Sequence, residues 1–151
     1  MNKQILLAVL ASVAMFTSGC LKLEDQSAKD EKDILDYIKK EGLVMEKDPS
    51  GLYYRIDEEG TGANPTIYNT VTVNYKGYLL NGSVFDETDG NPVSFPLANL
   101  IPGWQIGIPL IKKGGSILLI VPSELGYGSR SQGGIPANSV LVFEIQLVNI
   151  K

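Results

Sequence analysis

Residues 71–86 read VTVNYKGYLLNGSVFD, and this stretch decides the fold. Val71, Val73 and Tyr75 alternate with Thr72, Asn74 and Lys76, the period of a strand with one buried face. Asn81-Gly82 follows, the strongest short hairpin signal, because both residues tolerate the positive φ of a tight reversal. The chain then returns through Ser83 to Asp86. Further on, Ser116–Val121 is a third apolar run, and residues 140–150 alternate most clearly of all. There Leu141, Phe143, Ile145 and Leu147 share one face, with Glu144 and Gln146 opposite. Long helices rarely separate these runs, which predicts antiparallel pairing. Pro102 suits the first position of a short helix carrying Gly103-Trp104-Gln105-Ile106-Gly107-Ile108, and Pro109 blocks its continuation. The expected fold is α+β: an antiparallel β-sheet wrapped around one short α-helix.

The N-terminal side adds a short helix and a hairpin. Asp30 is expected to cap a helix whose first turn holds Glu31 and Asp33, and Gly42 to end it. Ile34, Leu35, Tyr37 and Ile38 are read as its core-facing stripe. Asp48-Pro49-Ser50-Gly51 has turn preferences and separates Leu43-Val44-Met45 from residues 52–56, which predicts a hairpin. Before this, Lys3, an apolar run from Ile5 to Phe16 and Thr17-Ser18-Gly19-Cys20 have the layout of a secretory signal. Twelve helical residues rise about 18 Å, short of a roughly 30 Å hydrocarbon layer, so cleavage is the better reading. The T-S-G-C end resembles a bacterial lipobox, which makes Cys20 the expected lipidation site. The expected division is a lipoprotein-type signal peptide at 1–19, a lipidated tether at 20–29, a helix and hairpin at 30–65, and one domain at 66–151. Leu21 after the cysteine resembles lipoproteins bound for the outer membrane.

Composition removes much chemistry. The 151 residues contain no histidine and one cysteine, which excludes histidine-based nucleophile systems, imidazole metal ligands and an intrachain disulfide. A net charge of −4 is the wrong sign for attraction to phosphate backbones, so no nucleic-acid partner is expected. The adjacent acids Glu24-Asp25, Glu58-Glu59 and Asp86-Glu87 read as solvated charge, because neighbours on a strand face opposite ways. The glycine-rich piece Gly126–Gly134 lacks both a P-loop ending and a Rossmann context, and reads as a surface loop. No metal site and no cofactor are expected.

What remains is aromatic placement. Tyr75, Phe85, Trp104, Tyr127 and Phe143 come from separate elements, with Asp86 beside Phe85. Two readings stay open: ordinary core, or the lining of one apolar pocket with a few polar tips. At this point VTVNYKGYLLNGSVFDET, LIPGWQIGIPLIKKGG, VPSELGYG and GGIPANSVLVFEIQL, taken together and in order, resemble the FKBP-type peptidyl-prolyl cis-trans isomerases, from about residue 66 to the end.

The resemblance implies rotation about Xaa-Pro bonds in exported proteins, with catalysis resting on Tyr75, Phe85, Asp86, Trp104, Tyr127 and Phe143. It makes Trp104 the pocket floor, with Leu100, Ile101, Ile135 and Val93 at the substrate. The Tyr127 hydroxyl and the Ile101 N–H would hold the carbonyls flanking the proline, under a flap at 129–138. Implied partners are proline-containing polypeptides, macrolide inhibitors such as rapamycin, and the membrane through the lipid anchor. A monomer is expected. Two positions depart from the family pattern. Val93 stands where many members have an aromatic residue, and no basic residue follows Phe85-Asp86, which leaves Asp86 without an expected cation. The competing function is a non-catalytic, lipid-anchored chaperone or adaptor that binds proline-containing segments.

Overall fold

The computed structural model describes residues 25–151. The expected signal peptide and Cys20 lie outside the described residues. Helix α1 (Asp25–Glu41) is followed by β1 (Glu46–Lys47), β2 (Tyr53–Glu58), β3 (Thr70–Leu79), β4 (Val84–Glu87) and β5 (Val93–Pro96). Then come α2 (Pro102–Gly107), β6 (Ser116–Val121) and β7 (Leu141–Ile150).

The strands form one antiparallel sheet in the order β1-β2-β6-β7-β3-β4, with β5 also pairing along β3. The hairpin at Asn81-Gly82 is present: Gly82 has φ +87° and its N–H donates to the Leu79 carbonyl at 2.8 Å. The alternation read along β7 holds, since Leu141, Phe143, Ile145 and Leu147 are all buried on the inner face. That face closes over α2, where Trp104 joins Ile108, Ile117, Leu119 and Val121 in the main core. The helix lies unusually close to β6. A Cβ on Gly103 would come within 2.6 Å of Val121, and one on Gly107 within 2.7 Å of Leu119.

Helix α1 packs on the opposite, outer face. Ile34 is buried there with Tyr53, Leu118, Ile120 and Val142, and Tyr37 and Ile38 pack against them. Leu35, expected in the same stripe, is 48% exposed, because it projects about 100° round the helix from Ile34. The helix ends as expected at Gly42, which has φ +64°; Leu43 N–H bonds the Ile38 carbonyl and Gly42 N–H that of Lys39, a Schellman motif.

Three N-terminal expectations need correction. The helix starts at Asp25, so residues 25–29 of the expected tether are helical. Asp30 therefore does not cap α1; it lies within it, and its carboxylate accepts from the Ser123 N–H at 2.8 Å. Pairing in the first hairpin begins at Glu46, beyond Leu43-Val44-Met45, since the Leu43 amide is already spent on ending the helix. The turn itself is as expected, with Gly51 N–H bonding the Asp48 carbonyl at 2.9 Å and Ser50 N–H bonding the Asp48 side chain at 2.8 Å.

Candidate active site

The gap between the inner sheet face, α2 and the loop after Tyr127 is a cavity of about 390 Å³. Trp104 is its floor and is only 4% exposed. Its indole is ringed edge-to-face by Tyr75 at 5.1 Å, Phe143 at 5.2 Å and Phe95 at 6.5 Å between ring centres. Phe85 stands on Phe143 at 5.6 Å and extends the wall outward. These rings interlock because β3 has Gly77 where β4 and β7 meet it: a Cβ there would sit 2.6 Å from Phe85 and 2.8 Å from Phe143.

The polar tips come from three elements. At the rim, the Tyr75 hydroxyl donates to exposed Asp86 at 2.5 Å. Burial first, and then this bond to Asp86, push the Tyr75 phenol well above its ordinary value. Across the cavity, the Tyr127 phenol is raised by burial and then by the Asp86 charge. Both hydroxyls therefore stay protonated donors at neutral pH. The third tip is the backbone of Ile101, just before α2. Gln105 Nε2 holds this segment by donating to the carbonyls of Leu100 at 2.6 Å and Ala98 at 3.1 Å. Ile101 accepts the first α2 bonds through its carbonyl, and its N–H bonds no other group among the described residues. The Trp104 Nε1–H is likewise without a partner among the described residues.

Of the residues expected from sequence, Tyr75, Phe85, Asp86, Leu100, Ile101, Trp104, Tyr127, Ile135 and Phe143 all line this cavity. Gln132 and Gly133 of the expected flap line it too. Val93 does not. It pairs with Val73 at the sheet margin and is 41% exposed. Phe95, two residues along the same face of β5 and opposite Val71, fills that wall instead. The period of two in the NPVSF segment puts Val93 and Phe95 on one face and does not say which of them reaches the indole. Asp86 sits at the rim beside Tyr75 and accepts from its hydroxyl, with no ion pair among the described residues.

The arrangement is an apolar cup with hydrogen-bond donors and one carboxylate, Asp86, at its edge, the usual character of a small-ligand site. Residues 62–148 match the family described as FKBP-type peptidyl-prolyl cis-trans isomerase, and the chain belongs to that family. It is 43% identical to the FKBP-type peptidyl-prolyl cis-trans isomerase FkpA of Escherichia coli strain K12, over 89% of this chain and 52% of that protein. It is 41% identical to the outer membrane protein MIP of Legionella longbeachae, over 86% of this chain and 56% of that protein. The crystal structure of FkpA from Escherichia coli superposes with a TM-score of 0.74 at 42% identity, covering 85% of this chain and 62% of that one. The chain thus spans about half the length of the curated relatives it matches.

Proposed function

We propose that this protein is a peptidyl-prolyl cis-trans isomerase acting on Xaa-Pro bonds of exported polypeptides. The observation that carries this reading is the indole floor of Trp104 enclosed by Tyr75, Phe95 and Phe143, with the Tyr75 and Tyr127 hydroxyls at the rim. Xaa-Pro rotation is slow because it breaks amide resonance, a barrier of about 18–20 kcal/mol. No proton has to move. The planar amide has a polarised carbonyl that water stabilises, and the twisted transition state has lost that polarity. A dehydrated cup therefore favours the twisted form. A thousandfold acceleration requires only about 4 kcal/mol. That figure is assigned to desolvation together with hydrogen bonds of about 0.5–1.5 kcal/mol each from the Tyr127 hydroxyl and the Ile101 N–H to the flanking carbonyls.

In this reading Trp104, Phe143, Tyr75 and Phe85 enclose the proline, Leu100, Ile101 and Ile135 contact its neighbours, and Asp86 orients Tyr75. The test is isomerisation of a short Xaa-Pro peptide by the purified chain, and its inhibition by rapamycin. Acceleration blocked by rapamycin supports the enzyme. Peptide binding without acceleration replaces it with the adaptor.

We also propose that the chain is exported to the cell envelope and anchored through lipid on Cys20. Support comes from the layout of residues 1–20 and from a relative named as an outer membrane protein. Two or more acyl chains anchor stably where one does not. Metabolic labelling with palmitate should mark the wild-type chain and leave Cys20→Ser unlabelled; equal labelling of both would end this proposal.

A further inference from the structure

Asp30 is only 2% exposed, and it forms no ion pair among the described residues. A buried carboxylate without a cation is costly unless its oxygens are hydrogen-bonded. Here Gln26 Nε2, one turn earlier on α1, donates to Oδ1 at 2.6 Å, and the backbone N–H of Ser123 donates to Oδ2 at 2.8 Å. Ser123 opens a 3₁₀ turn, Ser123–Leu125, whose first amide has no partner within the turn. An acid 93 residues distant in sequence thus does the work of a local cap. The Ser123 hydroxyl is 1% exposed and unbonded among the described residues, so the tie runs through the Ser123 backbone.

The carbonyl of the same residue carries the tie onward. It accepts from Gly126 N–H at 3.0 Å and Gly128 N–H at 2.8 Å, the two neighbours of Tyr127. The Gly128 carbonyl in turn accepts from Asn138 N–H at 2.8 Å, closing the base of the loop that brings Gln132, Gly133 and Ile135 to the cavity. Fixing the Ser123 amide orients the Ser123 carbonyl, because both planar peptide groups hinge on the one Cα of that residue. An apolar residue at position 30 would fill this space at lower desolvation cost; what it would lack is an acceptor for the first amide of the turn.

We infer that Asp30 is a positioning residue: from a helix on the outer face of the sheet, it sets the Ser123–Leu125 turn and thereby the Tyr127 hydroxyl and the loop beside it. The inference rests on the isomerase reading for its effect on rate, but not for its effect on the loop.

The test is a double-mutant cycle on the full chain with the Xaa-Pro peptide. Asp30→Ala should lower kcat about fivefold with KM within about twofold, the size of one coupled contact. In a Tyr127→Phe background the same change should cost less than about twofold, because the hydroxyl it positions is gone. Asp30→Asn, which keeps an acceptor and guards against misfolding of the alanine variant, should restore most of the rate. Independently of catalysis, amide hydrogen exchange at Gly126 and Gly128 should speed up in Asp30→Ala and not in Asp30→Asn. Equal losses in both backgrounds, or unchanged exchange at these two amides, would overturn the inference. A wild-type chain that leaves Xaa-Pro peptides at their spontaneous rate would instead overturn the isomerase reading, and the exchange measurement would still decide the role of Asp30.

Discussion

The two faces of the sheet both carry hollows, and the larger one is not the candidate site. On the outer face, beside the end of α1, a cleft of about 700 Å³ is lined by Arg55, Asp57, Lys76, Tyr78 and Glu144 among others. On the inner face the cavity is about 390 Å³ and is walled by aromatic rings. The difference is in the lining. Charged groups hold water, so a carbonyl lying in the outer cleft stays solvated and its planar form keeps its advantage. On the isomerase proposal the inner cup removes that water, and only there does twisting become relatively easier. Chemistry of the lining, and not volume, separates the two.

Substitutions on each face can break this comparison. Phe85→Ala opens the inner wall at a half-buried position and should lower the isomerisation rate at least about tenfold, more than 1.4 kcal/mol at the transition state, with a smaller change in unfolding free energy. A peptide assay and a denaturation curve on the same sample check this; an unchanged rate removes Phe85 from the site. The reciprocal change is Ile34→Ala, beneath α1 on the outer face. Ile34 is 1% exposed, and its truncation should cost about 2–5 kcal/mol of stability while the folded enzyme keeps its kcat/KM. Should activity fall in step with stability, the packing of α1, and not the Asp30 tie alone, reaches the cavity.

Finer changes sharpen the contrast. Tyr127→Phe deletes one hydroxyl and no volume, and is expected to lower the rate about two- to twelvefold, the worth of one hydrogen bond of 0.5–1.5 kcal/mol. The pH dependence follows from the phenols. Tyr75, Tyr78 and Tyr127 are all raised in the folded state, burial being the largest cause for each. The folded chain therefore holds these protons more tightly than the unfolded one. Stability should be steady below the free tyrosine value of about 10 and fall as pH rises beyond it, where only the unfolded chain ionises. Thermal melts across that range read the slope, and a rise above pH 10 would contradict the assignment. The smallest effect is expected on the outer face: Glu144→Gln still accepts from the Tyr78 hydroxyl, so the rate should stay within about twofold, and a larger loss would bring that cleft into the reaction.

The N-terminal region and the domain proper were not equally legible. In β3 and β7 the period of two marks the buried face and Asn81-Gly82 marks the reversal, whereas the register shifts between Gly77 and Tyr78 and between Thr72 and Val73 are seen only in the pairing. The start of α1 was misread because an aspartate is both a good helix cap and a good acceptor for any other orphan amide. Asp30 satisfies the amide of Ser123 and not its own helix end, a choice invisible without the partner. Val93 and Phe95 share one face of β5, and only the depth of each position tells which ring or methyl reaches the indole.

Local pattern alone was enough to establish an antiparallel sheet over a short, proline-started helix, the reversal at Gly82, the helix end at Gly42, and the absence of any histidine chemistry, because these depend on residues close along the chain. Tertiary structure alone decided that Tyr75, Trp104, Tyr127 and Phe143 share one cup, that Gly77 leaves room for two rings, and that a carboxylate on α1 caps the first amide of a turn beside Tyr127. Those are distances between segments far apart in sequence, set by how the sheet curls over α2, and no stretch of residues read by itself contains them.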